Sequence, residues 1–391
     1  MRKSLIVAIA LLAATPTFAQ VKCGGSFASF VSNIKTTAIA SGHSPATVKQ
    51  FLANARHDPS VIRADRSQGI FRMNFVDFAR RIISQNRMDN GRRYARELDG
   101  VFDRIERDYG VSRGVLLAFW ALETDFGQVQ GNFNTLNALL TLSHDCRRPE
   151  LFQPQVFAAL ELFEWGDFDP VNTKGAWAGE IGMVQMLPED ILTNGVDGDG
   201  DGQVKLKTSP ADALMSGGNM LRALGWRANE PWLQEIVLPK NLDWSQTGLT
   251  TTKPVAQWAR LGIKPRAGSL GAAKLEASVL LPMGRKGPAF LAYPNFSTYF
   301  EWNKSFVYVT SAAYFAARLE GAPVFNVGNP DPALSDGQMK NLQKKLRNRG
   351  HDVGKIDGIL GAKTRAAVQQ EQIRLGLPAD AWPTAALLAK L

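Results

Sequence analysis

From residue 21 to residue 110 the hydrophobic positions recur at three-to-four spacing, the period of an amphipathic helix. The clearest run lies between residues 74 and 108. There Phe75, Phe78, Ile82, Ile83, Tyr94, Leu98, Phe102 and Ile105 form the apolar set, and arginines fill the positions between them. Those arginines predict a solvated face, and Tyr109-Gly110 closes the run. A second helix is predicted from Ser112, carrying Val115, Leu116, Phe119, Leu122 and Glu123 towards Gly127. Helical spacing returns over 136–142, 157–165 and 211–224. From Trp232 the texture changes: 235–238 and 277–281 predict short strands bounded by Pro and Gly turns. Helix is expected again over 307–319. The Pro-, Gly- and Asn-rich stretch 321–332 predicts a linker, followed by a small helical module of about 60 residues.

At 391 residues the chain has room for about two or three domains. A composition 45% hydrophobic and 21% charged excludes wholesale disorder. Against 36 Asp+Glu, 45 Lys+Arg leave a formal charge of +9, which suits an anionic partner: nucleic acid, membrane surface or wall polymer. The N-terminus narrows that choice. Arg2 and Lys3 precede an apolar stretch over 5–14, and Thr17-Phe18-Ala19 offers a small-residue cleavage site before Gln20, the pattern of a secretory signal peptide. Its removal takes the charge from +9 to +7. Gln20-Val21-Lys22 matches poorly the small apolar residues that precede a lipidated cysteine. No later stretch reaches the ~18 apolar residues of a transmembrane helix. The mature protein is therefore expected to be soluble and exported, in the periplasm where an outer membrane exists.

Cysteine and histidine usage adds two constraints. With only Cys23 and Cys146 in an oxidising compartment, the economical reading is one disulfide, the alternative being two separate buried thiols. Four scattered histidines (His43, His57, His144 and His351) cannot join them in a spaced zinc site, which excludes a His-dependent metalloenzyme. A nucleic-acid binder would explain the charge but not the signal peptide, and no basic-aromatic nucleic-acid motif is present.

The chemistry centres on Phe119-Trp120-Ala121-Leu122-Glu123-Thr124-Asp125-Phe126-Gly127. One carboxylate among large apolar side chains is disfavoured in its charged form, as a general acid at neutral pH requires. A capping or surface glutamate is the structural alternative. Downstream, Gly175-Ala176-Trp177-Ala178-Gly179-Glu180-Ile181-Gly182-Met183-Val184-Gln185 lets backbone approach a bulky ligand, and Gln185 offers both a donor and an acceptor. Then Tyr293-Pro294-Asn295-Phe296 and Trp302-Asn303-Lys304-Ser305-Phe306-Val307-Tyr308 interleave aromatics with amide and hydroxyl groups, a mixture that suits a sugar.

In this order and spacing, Glu123-Thr124-Asp125-Phe126-Gly127, Gly179-x-x-Gly182-x-x-Gln185-Met186-Leu187-Pro188 and Asn295-Phe296…Trp302-Asn303-x-Ser305-x-x-Tyr308 resemble the B-type lytic murein transglycosylases. The resemblance covers roughly residues 23–320. It implies a lysozyme-like, mainly helical catalytic domain with Glu123 as sole catalytic acid and base. Gln185, Asn303 and Tyr308 then fall at glycan-contacting positions, with Gly179 and Gly182 beside them. Ala176 stands where some relatives carry serine, and Pro188-Glu189-Asp190-Ile191 where some carry Pro-Ser-Ser-Tyr. Glu180 is an extra carboxylate, read as a local salt-bridge partner in preference to a second catalytic group. The implied reaction needs no second acid. Glu123 protonates the oxygen between N-acetylmuramic acid and N-acetylglucosamine, then accepts the proton of the muramic acid C6 hydroxyl as that oxygen attacks C1. Intramolecular attack gains a high effective molarity.

Asp197-Gly198-Asp199-Gly200-Asp201-Gly202 resembles half of an EF-hand loop, but Lys205 and Thr208 occupy its ninth and twelfth positions. An Asx-rich turn is the expectation, and no metal or cofactor is assigned. Residues 335–391, with Leu342-Gln343, Asp357-Gly358, Thr364 and Gly376-Leu377-Pro378, resemble the three-helix peptidoglycan-binding module. Ala381 there replaces a usual glycine, and Glu371 a frequent aromatic.

The expected architecture is mainly α (α+β). It comprises a signal peptide over 1–19, a catalytic domain with a small β-containing insertion over 20–320, a linker over 321–333 and a three-helix module over 334–391. A monomer acting on peptidoglycan glycan strands is expected. The alternatives are a hydrolytic muramidase of the same fold and a catalytically degenerate wall-binding protein.

Overall fold

The computed structural model describes residues 20–67 and 73–391; the signal-peptide reading over 1–19 lies outside the described residues. Two compact units arise from interleaved segments, one from residues up to 66, 132–180 and 187–192, the other from 67–131, 181–186 and 193 onward.

In the first unit, helices Thr135–His144 and Pro149–Trp165 pack on each other, with Phe27–Ala40, Pro45–Phe51 and Pro59–Arg66 against them. Phe133–Asn134 pairs with Lys174–Gly175 as a short antiparallel ladder. The N-terminal segment is tied down twice. The buried Gln153 amide accepts from Val21 N at 2.9 Å and donates to Val21 O at 2.7 Å. Cys23 and Cys146 form a disulfide with Cα atoms 5.3 Å apart.

The second unit is organised around the helix Arg113–Thr124. Residues 114–121 are all buried, so this helix is apolar on every side, as an interior helix must be. Helix Phe306–Leu319 runs along it. Gly114 permits the close approach: a Cβ there would lie 2.9 Å from the Ala316 carbonyl oxygen. The continuous run expected over 74–108 is instead three helices, Phe75–Ile82, Gln85–Glu97 and Asp99–Tyr109. Ser84 starts the second of these, its hydroxyl accepting the Arg87 N–H as an N-cap. Gly110, at φ 68°, ends the third.

The β-containing part is a five-stranded antiparallel sheet in the order Lys253–Pro254, Glu276–Leu280, Phe290–Ala292, Leu233–Val237, Lys264–Pro265. Both predicted strands are present, each displaced by one or two residues. The strand between them, Phe290–Ala292, is buried at every position and so lacks the alternation that would mark it in sequence. One face of the sheet covers Trp258, Val255 and Ile263. Residues 322–335 form neither helix nor strand, yet they are not a bare spacer. Phe325 is buried between the rings of Phe75 and Tyr314, at centroid distances of 5.3 and 5.0 Å. The last three helices, Asp336–Asn348, Ala362–Arg374 and Ala385–Lys390, enclose Met339, Leu342, Leu346, Val368 and Leu387.

Candidate active site

Glu123 occupies the last turn of the central helix, half-buried, one turn beyond Phe119 on the same face. That spacing builds the site. The Trp302 ring stacks on Phe119 with centroids 4.3 Å apart, and its indole N–H then reaches Glu123 Oε1 at 3.1 Å. Tyr308, in the first turn of Phe306–Leu319, donates its hydroxyl to the same oxygen at 2.5 Å. Burial, reinforced by the Glu123 charge and by this bond, holds the Tyr308 phenol well above the usual tyrosine range. It is therefore a neutral donor at any working pH. Both donors come from opposite sides of one turn. Within it Asn303 Oδ1 accepts Ser305 N at 2.9 Å, and the Ser305 hydroxyl caps the following helix through Tyr308 N.

The residues after Glu123 fold back sharply. Asp125, Phe126 and Gly127 all have positive φ (50°, 59° and 85°), a conformation that costs a non-glycine residue about 1–2 kcal/mol. Arg87 holds the first of them, its Nε 2.9 Å from Asp125 Oδ1. The acid nearest Glu123 in sequence is thus committed to an ion pair. Thr124 does a different job. Its hydroxyl donates to Met183 O at 2.7 Å and accepts Gly127 N at 2.9 Å, pinning the glycine-rich loop to the helix end.

That loop turns tightly: Ile181 and Met186 form an antiparallel bridge, and Gly182, at φ 79°, passes so close to Leu206 that a Cβ would lie 2.5 Å from its carbonyl oxygen. Gln185 itself sits at φ 54°, and its Nε2 donates to Gly182 O at 2.8 Å. Gly179 belongs to the first unit, where a Cβ would strike the Leu139 side chain at 2.3 Å. Glu180 lies in that unit too. Its Oε2 is buried without a hydrogen-bond partner, and burial pushes the carboxyl above the usual glutamate range, against backbone bonds and the Arg148 charge. Arg148 itself pairs with Asp65 at 2.7 Å, so the salt bridge expected of Glu180 is not formed with it.

The motifs put Glu123 and Tyr308 in one site and Tyr308 at a glycan-contacting position; the structure adds that its hydroxyl donates to Glu123, a partner the motifs do not signal. Trp302 lies inside the third motif, where nothing local marks its role as a donor to Glu123. Asn295, from the same motif, is wholly buried and closes a loop, bonding Arg227 N, Arg227 O and Glu230 O at 2.7–2.8 Å. In the Asp197 loop, Asp197, Asp199 and Asp212 bring ligand atoms within 4.8 Å of one another. Their carboxylates accept backbone N–H groups: Gly200, Asp201 and Gly202 on Asp197, and Gly198, Asp199 and Lys205 on Asp212. Lys205 Nζ lies 2.6 Å from Asp201. Among the described residues no helix is long and apolar enough to cross a membrane.

Residues 26–317 match the transglycosylase SLT domain family, and residues 335–391 match a putative peptidoglycan binding domain. Membrane-bound lytic murein transglycosylase B of Escherichia coli (strain K12) is 28% identical over 232 residues, which are 59% of this chain and 63% of that protein. The chain thus spans less than two thirds of this relative. SltB3 from Pseudomonas aeruginosa, solved in complex with NAG-anhNAM-pentapeptide, matches with a TM-score of 0.85 at 35% identity, over 94% of this chain and 99% of that one. The Escherichia coli lytic transglycosylase Slt35 in complex with calcium matches at 0.65 and 26% identity, over 78% of this chain and 98% of that one. The mainly helical, lysozyme-like fold expected from the motifs is the fold of these enzymes. The chain belongs to the transglycosylase SLT domain family.

Proposed function

We propose that this chain is an exported enzyme that cleaves the β-1,4 bond between N-acetylmuramic acid and N-acetylglucosamine in peptidoglycan, forming 1,6-anhydro-N-acetylmuramic acid, with Glu123 as its one acid and base. The observation that carries this reading is the pair of uncharged donors, Tyr308 Oη and Trp302 Nε1, on a single oxygen of Glu123. When Glu123 gives its proton to the glycosidic oxygen, the C1–O bond breaks and negative charge develops on the carboxylate. Donors already aimed at that charge stabilise it without reorganisation. The carboxylate then takes the C6 hydroxyl proton while O6 bonds to C1, which restores the acid and closes the anhydro ring. Asp125, engaged by Arg87, is not offered as nucleophile or water-activating base.

SltB3 has been solved with NAG-NAM-pentapeptide as well as with NAG-anhNAM-pentapeptide, which supports the same substrate class here. Gln185 and Asn303 are proposed to meet the glycan through the amide atoms their turns leave over, Oε1 and Nδ2. Gly179 and Gly182 serve by shaping backbone. Residues 20–320 are proposed as the catalytic domain, 321–333 as the connection and 334–391 as a wall-binding module that raises local enzyme concentration.

The test is incubation of the mature chain from Gln20 with peptidoglycan sacculi, with Glu123→Gln in parallel and products resolved by mass. Anhydro-muropeptides from the wild type alone are expected. Products heavier by one water (about 18 Da) would mean a muramidase, as expected of a site that activates water. Binding without any product would mean a wall-binding protein.

A further inference from the structure

The C-terminal module does not hang free of the catalytic body. Gln369, in the module helix Ala362–Arg374, donates to Trp244 O and Thr247 O at 3.1 and 2.8 Å. Arg285 of the body pairs with Asp380 at 2.9 Å, and Trp382 Nε1 donates to Asp331 O at 2.9 Å. At the middle of this seam lies Arg365, only 8% exposed. Its guanidinium donates to Pro282 O at 2.6 Å and Leu281 O at 3.4 Å, and sits 4.4 Å from the centroid of Phe306. Carbonyl oxygens and aromatic faces meet its charge, while the neighbouring Asp380 is committed to Arg285.

A buried cation is a poor source of stability compared with an apolar side chain of the same volume, so its value lies in what it holds in place. Here that is Phe306, itself buried, the first residue of helix Phe306–Leu319. Phe306 also packs on Phe300 of helix Pro294–Trp302, with ring centroids 6.5 Å apart. It is thus the knuckle between the two helices whose ends carry Trp302 and Tyr308.

We propose that Arg365 is a positioning residue of the active site. From the module it clamps Phe306, and through the 303–305 turn it fixes both donors on Glu123. The module is then part of the catalytic apparatus and not solely a tether. This rests on the reading of Glu123 as the proton donor. A displacement of about 1 Å at reacting groups costs as much as a hundredfold in rate, so release of the clamp is expected to lower turnover.

The experiment uses the full mature chain with Arg365→Ala, Phe306→Leu and, as a control elsewhere on the seam, Gln369→Ala. Three quantities are read: kcat and KM on soluble uncross-linked glycan strands, co-sedimentation with sacculi, and the indole N–H resonance of Trp302, assigned with Trp302→Phe. Arg365→Ala and Phe306→Leu are each expected to lower kcat roughly ten- to hundredfold, to shift the Trp302 resonance and to leave KM and sacculus binding near wild type. Gln369→Ala is expected to keep kcat within about twofold. Unchanged kcat with an unmoved Trp302 resonance in the two clamp variants overturns the proposal, and so does a loss confined to KM or sacculus binding. Should Arg365→Ala fail to fold, Phe306→Leu decides on the same readouts. Should the wild type release no cleavage product, the proposed activity fails, and the Trp302 resonance still decides whether the module sets this turn.

Discussion

Replacing Tyr308 with phenylalanine removes one oxygen atom and with it a donor on Glu123 Oε1. The bond is 2.5 Å long, at the short end of the charge-assisted range for O–H···O⁻ pairs. Such a bond contributes about 1.5–3 kcal/mol. Its full strength is reached as Glu123 ionises, which happens on the way to the transition state, so the energy is lost from the barrier and not from substrate binding. The expected result is a fall in kcat of roughly ten- to 150-fold with KM little changed. Trp302→Phe is the calibrating partner. Its bond to Glu123 is 3.1 Å, nearer an ordinary neutral one, and phenylalanine preserves an aromatic face for Phe119. About 1 kcal/mol is at stake there, a loss of roughly fivefold. Initial rates on soluble glycan strands, followed by mass-resolved anhydro products, measure both, with thermal unfolding as the check on folding. Wild-type kcat in Tyr308→Phe, or a larger loss in Trp302→Phe than in Tyr308→Phe, would refute the argument.

Two further outcomes concern stability. Cys23 and Cys146 close a loop with a sequence separation of 123. Cys23→Ser with Cys146→Ser is expected to cost about 4–5 kcal/mol by chain entropy, roughly 5–6 °C in melting temperature for a chain of this length, seen by calorimetry against the oxidised wild type. In the module, Ala381 is held at φ 59°, with its N–H 2.9 Å from Gln372 Oε1. Ala381→Gly relieves about 1 kcal/mol of left-handed strain, part of which returns as glycine's extra unfolded-state freedom. Chemical denaturation should show a small gain, and a loss would mean that the methyl group packs better than it strains.

The helical period and the three motifs were legible in the residues because each is a local property, whereas Ala381 drew notice only through the resemblance of its module. The run from Val115–Leu116 to Phe119–Trp120 has helical spacing, and Ser112 stands just before the first helical residue. Glu123 in its apolar run drew notice by itself, but only the two motifs downstream and the resemblance they carry singled it out. The tertiary structure decided what that carboxylate touches. Trp302 and Tyr308 lie 179 and 185 residues away in sequence, and they meet on one oxygen because Phe119, one turn before Glu123, stacks on Trp302 while helix Phe306–Leu319 packs along the central helix and carries Tyr308 to it. The bond from Tyr308 to Glu123 was not legible, since a tyrosine in a polar-aromatic motif carries no mark of which partner its hydroxyl will find. The short strand Phe290–Ala292 escaped because burial on both faces removes alternation. Arg365 escaped for a related reason: an arginine on a module helix looks like a solvated charge until the body's carbonyls and Phe306 close over it.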